Sequence, residues 1–238
     1  MSETEATTGP RIDFGDPTGA DAPNPDDKVA PFDPEANKDP NDKSYHLKPG
    51  EQVSLTKLDP TLKSITVGVG WDVIGFENEA PDLDASVFLL DRHDKTAADE
   101  DFVFYNCLKN ADGSVIHDGD NRTGAGDGDD EIIHIDLMAL PFEVSRTAFV
   151  VSIYEAALRN HTFNNVRNCF LRVINKETKT EIMRFNLDKE FQENPKTTAL
   201  IVGMLIREGP NWYFEGTARF EAGGLGKIAT DYGIIVAL

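Results

Sequence analysis

The chain holds only two cysteines, Cys107 and Cys169, among 238 residues. Two are too few for a disulfide framework, and free thiols fit a reducing compartment, each read as a small buried apolar residue. Basic residues are scarce too: 23 Lys and Arg stand against 42 Asp and Glu, a formal net charge of −19. Such a surface repels a phosphate backbone and carries no basic stripe, which excludes general nucleic-acid binding and weakens direct adhesion to membranes. No stretch approaches the roughly twenty apolar residues that span a bilayer. The N-terminus lacks the basic start and apolar run of a signal peptide and is too acidic for a transit peptide, so the chain is expected to be soluble and cytoplasmic. Chemistry-bearing residues are sparse as well. His46, His93, His117, His134 and His161 are scattered without ligand spacing, and no serine sits in a nucleophile elbow. The acids crowd together where acid–base catalysis would need them in separate environments, and the expectation is a protein that is not an enzyme.

The first 46 residues carry eleven acids against four bases, with many prolines and few large apolar side chains. Such a segment cannot bury enough surface to offset its ordering entropy. Residues 1–45 are therefore expected to form a disordered acidic extension, and residues 46–238 one domain long enough to bury a sizeable core. Ile65, Val67, Val69 and Trp71 alternate in one phase and leave Asp72 in the other. Leu83, Ala85, Val87 and Leu89 likewise oppose Asp82, Asp84 and Ser86, so these carboxylates need not enter the core. Further strand signals cover Ile133 to Leu137, Phe149 to Tyr154, Phe170 to Ile174, Met183 to Leu187, Ala199 to Ile206 and Trp212 to Phe220, with hairpin signals at Asp112-Gly113 and beside Arg207 and Glu208. Many short strands split by turns predict an all-β, two-layer antiparallel β-sandwich. One short helix near the C-terminus is expected to anchor Leu225, Ile228, Ala229 and Tyr232 in the core.

Between Asp118 and Glu131 the chain reads DGDNRTGAGDGDDE, six carboxylates and four glycines in fourteen residues. Like charges about 4 Å apart repel by roughly 1–4 kcal/mol at surface-like dielectric, so this crowding calls for a cation. Oxygen-only donors and carbonyl-turning glycines point to calcium, whereas zinc would want Cys or His. The stretch is not an EF-hand: Arg122 and Gly124 fill positions that need carboxylates or amides, and Ala125 replaces the required glycine. If the turns beside the strands meet at one end of a sheet, Asp72, Asp82 and Asp84 would approach this loop and share its site. Glu131 is in phase with Ile133 and Ile135, which aims it at the interior at the end of its strand. His117, beside the loop, is placed to hold it by a hydrogen bond.

Leu47-Lys48-Pro49-Gly50, Val67-Gly68-Val69-Gly70-Trp71-Asp72, Asp82-Leu83-Asp84-Ala85-Ser86, Phe102-Val103-Phe104-Tyr105-Asn106 and His117-Asp118-Gly119-Asp120-Asn121-Arg122-Thr123-Gly124 follow one another in the chain. Arg167-Asn168-Cys169-Phe170, Glu208-Gly209-Pro210-Asn211-Trp212 and Asp231-Tyr232-Gly233 continue the series. These blocks, in this order, resemble the TerD family of tellurium-resistance and general stress proteins over roughly residues 46–236. The resemblance implies a compact β-sandwich that binds Ca²⁺ through aspartate-rich loops at one end. Carried over position by position, it implies metal ligation by Asp82, Asp84, Asp120, Asn121, Asp129, Asp130 and Glu131, and beyond these by Asp72, Thr123, Asp127 and the carbonyl of Gly124. Two departures from the family pattern are the acidic extension and Cys107, which stands where asparagine is common. The resemblance further implies a stress-response protein whose partners are proteins, other stress-response components; because bound calcium would cancel part of the negative charge, their association is expected to depend on calcium. The runner-up is a structural protein with permanent calcium, and a metal-dependent enzyme ranks behind it. Without clustered thiols the chain has no chemistry of its own for tellurite, so that word names a phenotype of the family.

Overall fold

The computed structural model describes residues 43–73, 81–119 and 128–235. Twelve strands are described, β1 (Tyr45–His46), β2 (Gln52–Ser54), β3 (Ser64–Val73), β4 (Leu83–Leu90), β5 (Phe102–Val103), β6 (Val115–His117), β7 (Glu131–Asp136), β8 (Arg146–Ile153), β9 (Val166–Asn175), β10 (Glu181–Asn186), β11 (Ala199–Glu208) and β12 (Asn211–Glu221), with short helices α1 (Leu55–Leu58), α2 (Ala156–Arg159), α3 (Asp188–Glu193) and α4 (Gly224–Asp231). They form two six-stranded sheets, ordered β1-β10-β9-β3-β7-β6 and β2-β12-β11-β8-β4-β5. All neighbours are antiparallel except β1 and β10, which pair in parallel. The expected all-β sandwich is thus the observed one.

The inner faces follow the sequence alternation. Ile65, Val67, Val69 and Trp71 of β3, Ile133 and Ile135 of β7, and Leu171 and Val173 of β9 are all buried. They oppose Leu83, Ala85, Val87 and Leu89 of β4, a packing that removes the apolar face of each sheet from water. The second sheet is covered on its outer face too. There Ile228, Ala229 and Tyr232 of the α4 region pack with Phe88, Leu90, Ala148, Val150, Ala199 and Ile201, while Leu225 is only partly buried. This cover accounts for the burial of Phe88 and Leu90 of β4, and Asp84 and Ser86 of the same strand are buried as well. Two-residue alternation anticipates one wet face and so missed their burial.

The turn at Asp112-Gly113 is present, with Gly113 at φ +74 and an isolated bridge between Lys109 and Ile116. Gly209, at φ +58, closes the β11–β12 hairpin, and the Arg207 guanidinium stacks on buried Trp212 at 4.6 Å. Cys169 is buried, and burial pushes its thiol far above the ordinary range; Cys107 is only half-buried. Among the described residues no helix is long and apolar enough to cross a membrane.

Candidate metal centre

The strand ends that border the acidic loop meet at one end of the sandwich. Val69 near the end of β3 lies opposite Glu131 at the start of β7, and Leu83 at the start of β4 lies opposite Ile153 at the end of β8. Glu131 points inward, as its phase with Ile133 and Ile135 requires, and its side chain is fully buried. Its target is the edge of β4. The partner strand β5 pairs with β4 only at Val87 and Phe88, so Ala85, flanked by Val151 of β8 on one side, has no strand on its β5 side. Side chains from the other sheet take that place: Glu131 Oε2 accepts from the Ala85 N–H, and His117 Nε2 lies 3.1 Å from the Ala85 carbonyl oxygen. Buried backbone groups must be paired, and here a carboxylate and an imidazole stand in for a strand while clasping the two sheets together.

His117 also reaches the loop. The Gly119 N–H donates to its Nδ1 at 3.0 Å, so contacts assign the proton to Nε2, which sits 3.5 Å from Glu131 Oε2. Burial alone would pull this imidazole down, but the hydrogen bond and charge of Glu131, the Ala85 carbonyl and the charge of Asp84 together raise it above 6.5. Protonating Nδ1 would release Gly119. The other oxygen of Glu131, Oε1, is buried and has no hydrogen-bond partner among the described residues.

A second group of acids lies beside the first sheet. The Asp130 N–H donates to the Val69 carbonyl at 2.8 Å, and Asp130 Oδ2 accepts from the Trp71 N–H at 2.8 Å. Asp72, past a register shift between Gly70 and Asp72, is exposed and accepts from Asn168 Nδ2 at 2.6 Å. Burial and the negative charges of Asp72 and Asp129 push the Asp130 carboxyl above its usual value, against the pull of the Trp71 N–H.

Asp129 faces a different environment. It lies on the outer face of the first sheet, where Arg172 of β9 grips it in a bidentate pair, Nε to Oδ1 at 2.7 Å and Nη2 to Oδ2 at 2.9 Å. Arg172 reaches Glu181 as well, at 3.0 Å, and Glu181 pairs with Arg184 at 2.8 Å, whose guanidinium stacks on Phe170 at 4.3 Å. The two glycines of Val67-Gly68-Val69-Gly70 make room for this layer. A Cβ at Gly68 would come within 2.2 Å of the Asp129 carboxylate carbon, and one at Gly70 within 2.5 Å of the Phe170 ring.

Glu181 gives this layer an acid limit. Burial would raise its carboxyl, but Arg184 and Arg172 outweigh that and hold it below 4.5. A depressed carboxylate stabilises the fold above the unfolded pKa, and the contribution is lost as pH falls through the folded one. In urea unfolding, the stability advantage of the parent over Glu181→Gln should therefore be constant above about pH 5 and shrink below about 4.5. An advantage independent of pH would contradict the pairing.

Of the residues expected to bind metal, the structure brings Glu131 to Ala85, the residue that follows Asp84 in β4. It places Asp130 beside Trp71 and within electrostatic reach of Asp72. Asp82 precedes β4 and its carbonyl accepts from the Tyr154 N–H at 2.8 Å. Asp129 points away from Glu131, already answered by a cation of the chain itself. Asp120, Asn121, Thr123, Gly124 and Asp127 lie outside the described residues. Among the described residues no three His, Cys, Asp or Glu side chains converge on one point. The set fits a cation in part, through the orphaned Glu131 oxygen and the crowded Asp72 and Asp130. Sequence reasoning missed Arg172. Its signal was there in the paired glycines of a central strand, which mark a close approach of other groups.

Comparisons with known proteins give the family and the fold. The TerD domain model matches residues 44–232. The chain is 44% identical over 191 residues to general stress protein 16U of Bacillus subtilis (strain 168), covering 80% of this chain and 97% of that protein. It is 43% identical over 191 residues to tellurium resistance protein TerD of Serratia marcescens, covering 80% and 98%. The crystal structure of a homologue of telluride resistance protein (TerD) from Streptomyces coelicolor A3(2) shares the fold, with a TM-score of 0.56 at 22% identity over 71% of this chain and 95% of that one. The chain belongs to the TerD domain family.

Proposed function

We propose that this protein is a cytoplasmic stress-response factor of the tellurium-resistance type, not an enzyme, that holds Ca²⁺ in its acidic loops and offers the ordered loop surface to partner proteins. The observation that supports this most is the buried Glu131 oxygen that has no hydrogen-bond partner among the described residues, at the end of a run of sequence crowded with carboxylates. Glu131, Asp130, Asp84, Asp82 and Asp72 would hold the ion together with Asp120, Asn121, Thr123, Asp127 and the Gly124 carbonyl, an all-oxygen set suited to a hard cation. A bound Ca²⁺ would supply the positive charge these carboxylates lack and cancel part of the net −19. The chain's own part is to fix the loop ends: Trp71 and Val69 hold Asp130, and Ala85 and His117 hold Glu131.

The test is calorimetric titration of metal-stripped protein with Ca²⁺ over a Mg²⁺ background, beside an Asp130→Asn, Glu131→Gln variant. Binding with Kd of about 10⁻⁷ to 10⁻⁵ M in the parent, lost in the variant, is the expected result for a sensor. Much tighter binding that changes only stability would mark the calcium as permanent and structural. No binding in the parent would sink the proposal.

A further inference from the structure

Asp129 stands in the middle of the acidic run, yet its geometry differs from that of its neighbours. Its side chain is 7% exposed, packed against the backbone of β3 at Gly68, with both oxygens taken by the Arg172 fork. The next residue, Asp130, is fixed by two backbone contacts to β3, and the one after it, Glu131, is turned through to the opposite side of the same sheet. Three successive carboxylates are thereby sorted to three environments. Arg172 does not depend on Asp129 alone, since Glu181 shares it and Arg184 braces Glu181. The cation is therefore built into the sheet, ahead of any ion from solution.

We propose that Arg172 is the positioning residue of the metal centre and that Asp129 is its anchor and not a ligand. The pair pins the C-terminal stem of the acidic loop to the outer face of β3, and this sets where the carboxylates of Asp130 and Glu131 stand. The inference rests on the calcium reading for its consequence, but the anchor itself is a property of the metal-free chain. It implies that a positive residue beside an acidic metal loop strengthens ion binding, although simple charge repulsion argues for the reverse.

The experiment uses the full chain with Asp129→Asn, Arg172→Gln, the double variant, and Glu131→Gln as the comparison. Thermal unfolding in chelator and Ca²⁺ calorimetry are the two readouts. Asp129→Asn keeps the shape of the side chain, so a folded variant is available even if Arg172→Gln folds poorly. In chelator both single variants should melt lower than the parent, and the double variant should lose less than their sum. In calorimetry Asp129→Asn and Arg172→Gln should keep the parent's ion number while affinity falls about ten- to hundredfold, the usual cost of losing a group that orients a ligand. Glu131→Gln should lose an ion. Loss of an ion in Asp129→Asn, or tighter binding in Arg172→Gln, would make Asp129 a ligand for which Arg172 competes, and would overturn the inference. If the parent takes up no Ca²⁺, the calcium reading fails by itself, and the cycle in chelator still decides the anchor: additive losses would refute it.

Discussion

Gly68→Ala is expected to destabilise the protein by about 2–4 kcal/mol, as a buried ion pair is forced apart. The sign is the informative part. Alanine at a strand glycine ordinarily stabilises by roughly 0.4–1 kcal/mol, because it reduces the freedom of the unfolded chain. Here the new Cβ would lie 2.2 Å from the Asp129 carboxylate carbon and 2.3 Å from each of its oxygens. Those atoms have no space to yield while Arg172 holds them from the other side. The pair must leave the sheet or the strand must bend. Arg172 is 26% exposed, so water recovers part of the loss, which places the cost toward the lower end for a broken buried pair. Urea unfolding of Gly68→Ala, Asp129→Ala and the double variant separates the causes. Once Asp129 is alanine the clash is gone, and adding Gly68→Ala should cost almost nothing. A Gly68→Ala protein as stable as its parent would mean that Asp129 does not rest on β3.

That interaction shows where the sequence stops being readable. The alternation of Ile65, Val67, Val69 and Trp71, of Ile133 and Ile135, and the spacing of Ile228, Ala229 and Tyr232 all report burial, and each is buried where the pattern puts it. Periodicity is a local property that hydrophobic burial imposes on the chain, so it survives reading one residue at a time. The inward turn of Glu131 was legible for the same reason. The pairing of Asp129 with Arg172 spans 43 positions, and nothing local in either residue specifies the other. The clasp at Ala85 was hidden because it depends on β5 being two residues long, a fact about a neighbouring strand. Helix α3 escaped notice as well: its one buried residue, Phe191, packs edge-on against Phe163 and Phe220. A helix this short is held by such contacts and not by its own propensity. The ordered motif blocks, by contrast, carried the family directly, although they did not say that the glycines between the valines serve an arginine.

Glu131→Ala is expected to cost about 3–4 kcal/mol in metal-free protein and to change how stability depends on pH. Two losses add in the first effect: the Ala85 N–H is left buried without an acceptor, and a cavity opens where a fully buried side chain stood. Glu131→Gln should cost less, since its amide oxygen still accepts from Ala85 and its side chain still fills the space, so the difference between the two variants measures the clasp and the cavity together. The second effect runs through His117. Glu131 is the main reason that imidazole is raised above 6.5 despite its burial. A raised histidine stabilises the fold in full below the unfolded pKa, and the contribution is lost as pH rises through the folded one. The parent should therefore gain stability relative to both variants as pH is lowered from 8 toward about 6. In Glu131→Ala and Glu131→Gln the imidazole keeps its burial without the carboxylate, so protonation should oppose folding and the slope should reverse. Unfolding by urea at several pH values, with His117 followed by NMR titration, measures both. Parallel pH profiles for parent and variants would show that His117 and Glu131 do not act as a pair, and the clasp between the sheets would then rest on the Ala85 backbone bonds alone.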